Sequence, residues 1–329
     1  MVILRPNICL KLFDTLVVPI LSYGGTVWAP LYANKVNTSN FNDICNNSPV
    51  ENLNTRMCKY LLGVHRKSTN DAVRGELGRL PLLLTVLNHS FRYFQRVMLS
   101  NSYSLVKISC LDTDVCNFNS SWHNSMIKLL NTFDQSQSFT KDMQNVYVIN
   151  WKKSLQSCTG KLRTYAQFKK DFCVENYILQ FPVHVRRHLT KLRISAHSLA
   201  IETGRYKTNT NASLNADKRL CFNCKTVESE YHFIFECSLY EEERKQLFES
   251  LRIFTSIPSD ATHENFCTIM SGLNGDLEVS RNLCYFINNC FEIRRESINT
   301  ASEKNVLLRP EVTTTRSGRL SRRPTRLNV

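Results

Sequence analysis

Cys221, Cys224, His232 and Cys237 are the residues of this chain whose types and spacing most plainly imply chemistry, and they fall within one short stretch as C-x2-C-x7-H-x4-C. Three soft thiolates and an imidazole are the donor set of a tetrahedral structural Zn²⁺ site. The two-residue gap between Cys221 and Cys224 lets one tight turn aim both sulfurs at a point. His232 and Cys237 are a little more than one helical turn apart, so a short helix or its end can deliver the second pair. With all four coordination positions filled by protein, no place is left for a catalytic water, and the expected role is a staple. Lys218, Arg219 and Lys225 flank the ligands. Such cations offset the net negative charge of three thiolates around one Zn²⁺, and Lys218, Arg219 and Lys225 are also expected to contact the phosphates of RNA or DNA. The other reading of these cysteines is that they are scattered small core residues.

The chain has 329 residues, enough for two or three domains, and a formal net charge of +14. That charge points to an acidic partner, RNA or DNA first and a membrane surface second. The cysteine count is 13, an odd number in a glycine-poor chain, which fits metal ligands and buried thiols in a reducing compartment. The longest apolar run near the start, Leu16–Leu21, is short and contains Pro19. It falls far below the ~20 residues of a spanning helix, so no membrane segment is expected. The expected location is intracellular, nuclear or cytoplasmic.

The elements that must position the ligands are mainly α-helical by periodicity. Leu10, Phe13, Leu16 and Val17 share a face, and Pro19 breaks the run. A second helix is expected over 50–63, and a short one over 71–78 with Gly78 as a left-handed cap. Leu83, Val86, Leu87, Phe91, Phe94 and Met98 mark a third long helix. Residues 101–160, rich in Ser, Asn, Asp and Gln, suggest a polar linker carrying short helices near 122–133 and 140–157. From residue 161 to 257 the pattern predicts a basic helical domain holding the Cys/His cluster. Its main helix follows Pro182, with Val185, Leu189, Leu192, Ala196 and Leu199 on the apolar line. Arg186, Arg187, Lys191 and Arg193 fall off that line and are expected on a cationic outer face, either contacting phosphates or simply solvated. A further helical region is expected over 258–308. The Arg-rich stretch 309–329 is too poor in apolar residues to build a core and is expected to be disordered.

Four segments carry a resemblance to a known family: Leu10–Trp28, Cys58–Pro81, Arg193–Tyr206 and Cys221–Tyr240. Their order resembles the C-terminal part of the reverse transcriptases of LINE-type (non-LTR) retrotransposons. The resemblance implies a thumb-like helical region over 1–100 and a CCHC zinc knuckle whose ligands match Cys221, Cys224, His232 and Cys237. It also implies RNA-directed DNA polymerisation by the parent protein. That chemistry needs paired metal-binding carboxylates. No Asp-Asp and no Tyr-x-Asp-Asp occurs in these residues. No dinucleotide, P-loop, zincin or hydrolase motif is present either, and no small-molecule substrate is expected. Two weaker constellations are a carboxylate set for a nuclease, Asp260, Glu264 and Glu278, and a second metal site from Cys110, Cys116 and His123; neither has a full complement of partners.

Three function classes follow. The first is a non-catalytic nucleic-acid-binding remnant. The second is part of an active polymerase whose palm lies upstream or on another chain. The third is a repurposed zinc-stapled protein-interaction module. Within the knuckle, Phe222, Tyr231 and Phe233 either stack on unpaired bases or form a small core around the metal.

Overall fold

In the computed structural model the stripe Leu83, Val86, Leu87 and Phe94 turns inward and becomes the spine of a helical core. The structure describes residues 5–32, 35–115, 121–133, 138–157, 160–206, 212–254, 262–271, 276–307, 312–314 and 320–322. These residues are mainly α-helical. No helix among them is long and apolar enough to cross a membrane. The chain divides into two compact units: Met1–Ser198 with Asp260–Cys284, and Leu199–Ser259 with Tyr285–Val329.

The first unit is organised around the helix Leu82–Leu99. Its apolar face meets Phe41, Met126, Leu129, Phe133, Phe139, Met143 and Tyr147 in one buried cluster. The Phe41 and Phe133 rings lie 4.7 Å apart, and Trp122 Nε1 donates to Thr26 O at 2.8 Å. Residues expected to be a linker therefore supply core. The helices Trp122–Phe133 and Phe139–Gln156 lie close to where periodicity put them, but their apolar stripes are buried. The polar residues that made this stretch look like a linker cover the outer faces of amphipathic helices.

Two glycines end helices here by taking the left-handed conformation that side chains resist. Gly63, at φ +67°, closes Pro49–Leu62, and Gly78, at φ +56°, closes Asn70–Leu77. At Gly78 the backbone of Val174 passes so close that an added Cβ would stand 2.6 Å from its amide nitrogen.

The basic helix after Pro182 is shorter than its apolar line suggests. It spans Val183–Arg193 and stops where Ser195 adopts φ +53°; a separate turn, Ala200–Thr203, follows. The stripe at 196 and 199 continues past the end of the helix, which the periodicity alone does not mark.

In the second unit the helix Glu241–Phe254 buries Leu247 and Leu251. The helix Leu277–Leu307 contributes its later turns, with Phe286, Ile287, Cys290 and Phe291 buried. Of the tail expected to be disordered, Val312–Thr314 and Leu320–Arg322 form a short antiparallel pair with Val312 opposite Arg322. Arg309, Arg316, Arg319, Arg323 and Arg326 lie outside the described residues.

Candidate metal centre

A hairpin and one wide helical turn bring the four ligands together. Leu220 and Val227 pair as an antiparallel bridge, and Cys221 N donates to Thr226 O at 2.7 Å. Between them the chain reverses through Lys225, whose φ is +60°. This reversal turns Cys221 and Cys224 to the same side. The second pair sits on a π-helical turn, His232–Glu236, closed by Cys237 N donating to His232 O at 2.9 Å. In a regular α-helix residues five apart lie well round the cylinder from each other. The i→i+5 closure brings His232 and Cys237 back into line, a use of π geometry common at functional sites.

The donor atoms of Cys221, Cys224, His232 and Cys237 all lie within 4.8 Å of one another, close enough to hold a metal ion. Cys237 Sγ stands 3.9 Å from Cys221 Sγ and 3.6 Å from Cys224 Sγ, too far for a disulfide. His232 Nε2 is buried without a hydrogen-bond partner. Its other ring nitrogen, Nδ1, lies 3.2 Å from Glu236 Oε2 and 3.3 Å from Thr226 Oγ1. The tautomer with its proton on Nδ1 leaves the Nε2 lone pair for a metal and lets Nδ1–H donate to Glu236. A buried, unpaired imidazole nitrogen among three sulfurs fits a metal ion. Among the described residues this is the one such group.

The thiols are not equivalent. Burial raises Cys224, but hydrogen bonds from Ser238, Cys237 and Asn223 outweigh it and draw its pKa down to about 6. Burial and the neighbouring sulfurs push Cys237 up to about 12. A metal ion held here would be bound by thiolates, of which Cys224 ionises most readily and Cys237 least.

The surroundings hold the cluster still. Glu228 is buried; it accepts from Arg294 Nε at 2.9 Å and Nη2 at 2.8 Å, and from the amide of Ala200. Phe233 packs between Tyr240 and Phe291, each ring centroid 4.9 Å away, so of the three knuckle aromatics it belongs to core. Phe222 lies under the Arg294 guanidinium at 5.8 Å, and Tyr231 beside Phe235 at 5.2 Å. Arg244 donates to Ile234 O at 2.8 Å and to Cys237 O, which places a cation beside the last cysteine of the cluster. Sequence reasoning missed Glu236, Ser238 and Arg244. Only Glu236, four residues beyond His232, carried a spacing that could have found it.

The cations expected to face phosphates separate into two groups. Arg186 is fully buried, its Nε donating to Phe181 O at 3.1 Å and its Nη2 to Leu61 O at 2.7 Å. Arg193, 2% exposed, is bound by Glu76 (Nη2–Oε1 2.9 Å) and lies 4.7 Å over the Phe168 ring. Both leave the outer face because the groups packed against this helix supply carbonyls and a buried carboxylate that the guanidinium donors satisfy. Arg219 is half-buried, its guanidinium taken up by Leu214 O and Ile201 O. Arg187, Lys218 and Lys225 are exposed and Lys191 is half-exposed. Of the carboxylates a nuclease would need, Asp260 lies outside the described residues and Glu278 pairs with Arg281 at 2.9 Å. Cys116, which a second metal site with Cys110 and His123 would need, lies outside them too. No protein-family model, curated protein or solved structure matches the chain.

Proposed function

We propose that this chain is a zinc-stapled nucleic-acid-binding protein with no polymerase chemistry of its own, of the kind implied by its resemblance to the C-terminal part of non-LTR reverse transcriptases. Zinc is favoured by the donor set and by its spacing. Zn–S bonds of ~2.3 Å at tetrahedral angles place sulfurs ~3.8 Å apart. The 3.6 and 3.9 Å separations match. Four protein ligands make the metal structural, so its free energy of binding goes into folding the second unit.

The observation that carries the nucleic-acid reading is the set of cations left without acid partners. Among the described residues, Arg187, Lys191, Lys218 and Lys225 make no ion pair, in a chain of net charge +14. Such cations bind phosphates by releasing condensed counterions. Fluorescence anisotropy of the full chain with labelled RNA, single-stranded DNA and duplex tests this, with polyglutamate as a matched polyanion. Binding to nucleic acid well above polyglutamate supports the reading. Equal binding to both makes the chain an acidic-protein module.

A further inference from the structure

The helix that sequence singled out supplies only two members of a larger cationic surface on the first unit. Its base is the end of the helix Pro49–Leu62. Because residue 63 is glycine, the helix Val183–Arg193 comes close: a Cβ there would stand 3.0 Å from Val183 Cγ1 and 3.3 Å from Arg187 Cγ. The aliphatic stem of Arg187 therefore lies across Gly63 and its guanidinium is exposed. Past Gly63 the chain turns through exposed Arg66 and Lys67, and Lys59 Nζ donates to Arg66 O at 2.7 Å, tying this turn to the helix.

Two like-charge interactions extend the surface. Burial and then Lys161 lower the pKa of Lys59; burial and then Arg187 lower that of Lys191. Lys161 is thus near enough to Lys59 for the two charges to act on each other, and Lys191 lies one helical turn along from Arg187. Among the described residues no carboxylate lies within ion-pair distance of any of the six. Tyr60, 73% exposed, stands beside Lys59 in sequence, and Arg56 precedes Tyr60 by one turn on the same side of the helix. Cations brought together without acid partners repel one another, and a polyanion relieves that repulsion. The six are spread over a helix end, two turns and a second helix, which suits a chain of phosphates better than one.

We propose that Lys59, Arg66, Lys67, Lys161, Arg187 and Lys191 form a surface on the first unit that grips the phosphodiester backbone of nucleic acid. It rests on the nucleic-acid reading above, but assigns the main contact to residues of the first unit, which holds all six, and not to those of the second, which holds the metal ligands. The test uses the full chain, comparing Lys67→Gln/Lys161→Gln/Arg187→Gln with the control Lys152→Gln/Lys245→Gln, two exposed cations that already have acid partners. The triple variant should flatten the slope of log K against log salt by about two to three units. It should also weaken binding at about 0.1 M salt on the order of a hundredfold, while the control changes by a few-fold at most. Should the triple variant unfold, Arg66→Gln/Lys67→Gln, confined to the turn, replaces it and should flatten the slope by about one to two units. A wild-type slope in the triple variant, or in the turn variant where that one is used, overturns the surface and leaves the nucleic-acid reading standing. Absence of wild-type binding to RNA and DNA at low salt overturns both. Equal binding to phosphatidylserine vesicles shows that the surface is not specific for a nucleic-acid backbone and overturns this proposal.

Discussion

At the scale of single residues, His232 is the most telling. One ring nitrogen is oriented by Glu236 and Thr226, and the other is buried among sulfurs with nothing of the protein to bind. That is the arrangement in which a carboxylate fixes the tautomer and raises the basicity of a metal-bound imidazole. His232→Ala and Cys221→Ser should each abolish stoichiometric zinc in the purified chain, read by metal analysis. An unchanged equivalent of zinc in both would assign the metal to other ligands. Glu236→Ala should weaken zinc about tenfold, measured by competition with a chelating dye. That is the low end of the ~10–100-fold range for such partners, because the Glu236 side chain is half exposed. Glu236→Gln keeps an acceptor and should recover part of that loss.

At the scale of elements, the sequence was legible wherever local pattern decides and silent wherever a distant partner decides. The ligand spacing, the left-handed Gly78 cap and the boundaries of Leu82–Leu99 follow from turn chemistry and period. The fate of Arg186 and Arg193 does not. Their positions off the apolar line suggest solvent, and only the distant Leu61 carbonyl and Glu76 carboxylate turn them inward. The same holds for residues 121–157, whose amphipathic helices look like a polar linker until a core is set beside them.

These elements give two predictions for the first unit, which holds all three tryptophans, Trp28, Trp122 and Trp151. Urea unfolding followed by tryptophan fluorescence therefore reports on it. Arg193→Ala leaves Glu76 buried and unpaired and should cost about 3–5 kcal/mol. Glu76→Leu/Arg193→Met, which removes both charges, should cost markedly less. Phe133→Ala, in the stretch that resembled a linker, should cost about 3–5 kcal/mol as a core cavity does. A loss below about 1 kcal/mol would instead match an exposed site.

At the scale of the whole molecule, the charge balance and the lack of an Asp-Asp pair motivate the proposed account of binding without phosphoryl transfer. Primer extension on an RNA template with Mg²⁺ or Mn²⁺ should give no templated product from the pure chain, because no adjacent aspartates are available to hold two metal ions. The central claim is that phosphate neutralisation by uncommitted cations drives binding. It is tested most directly by the dependence of the full chain's affinity for duplex and single-stranded nucleic acid on salt. With about four to six phosphates neutralised, the slope of log K against log salt should lie near −3 to −5, and it should be alike for unrelated sequences. A slope near zero, or no binding at about 50 mM salt, would contradict it.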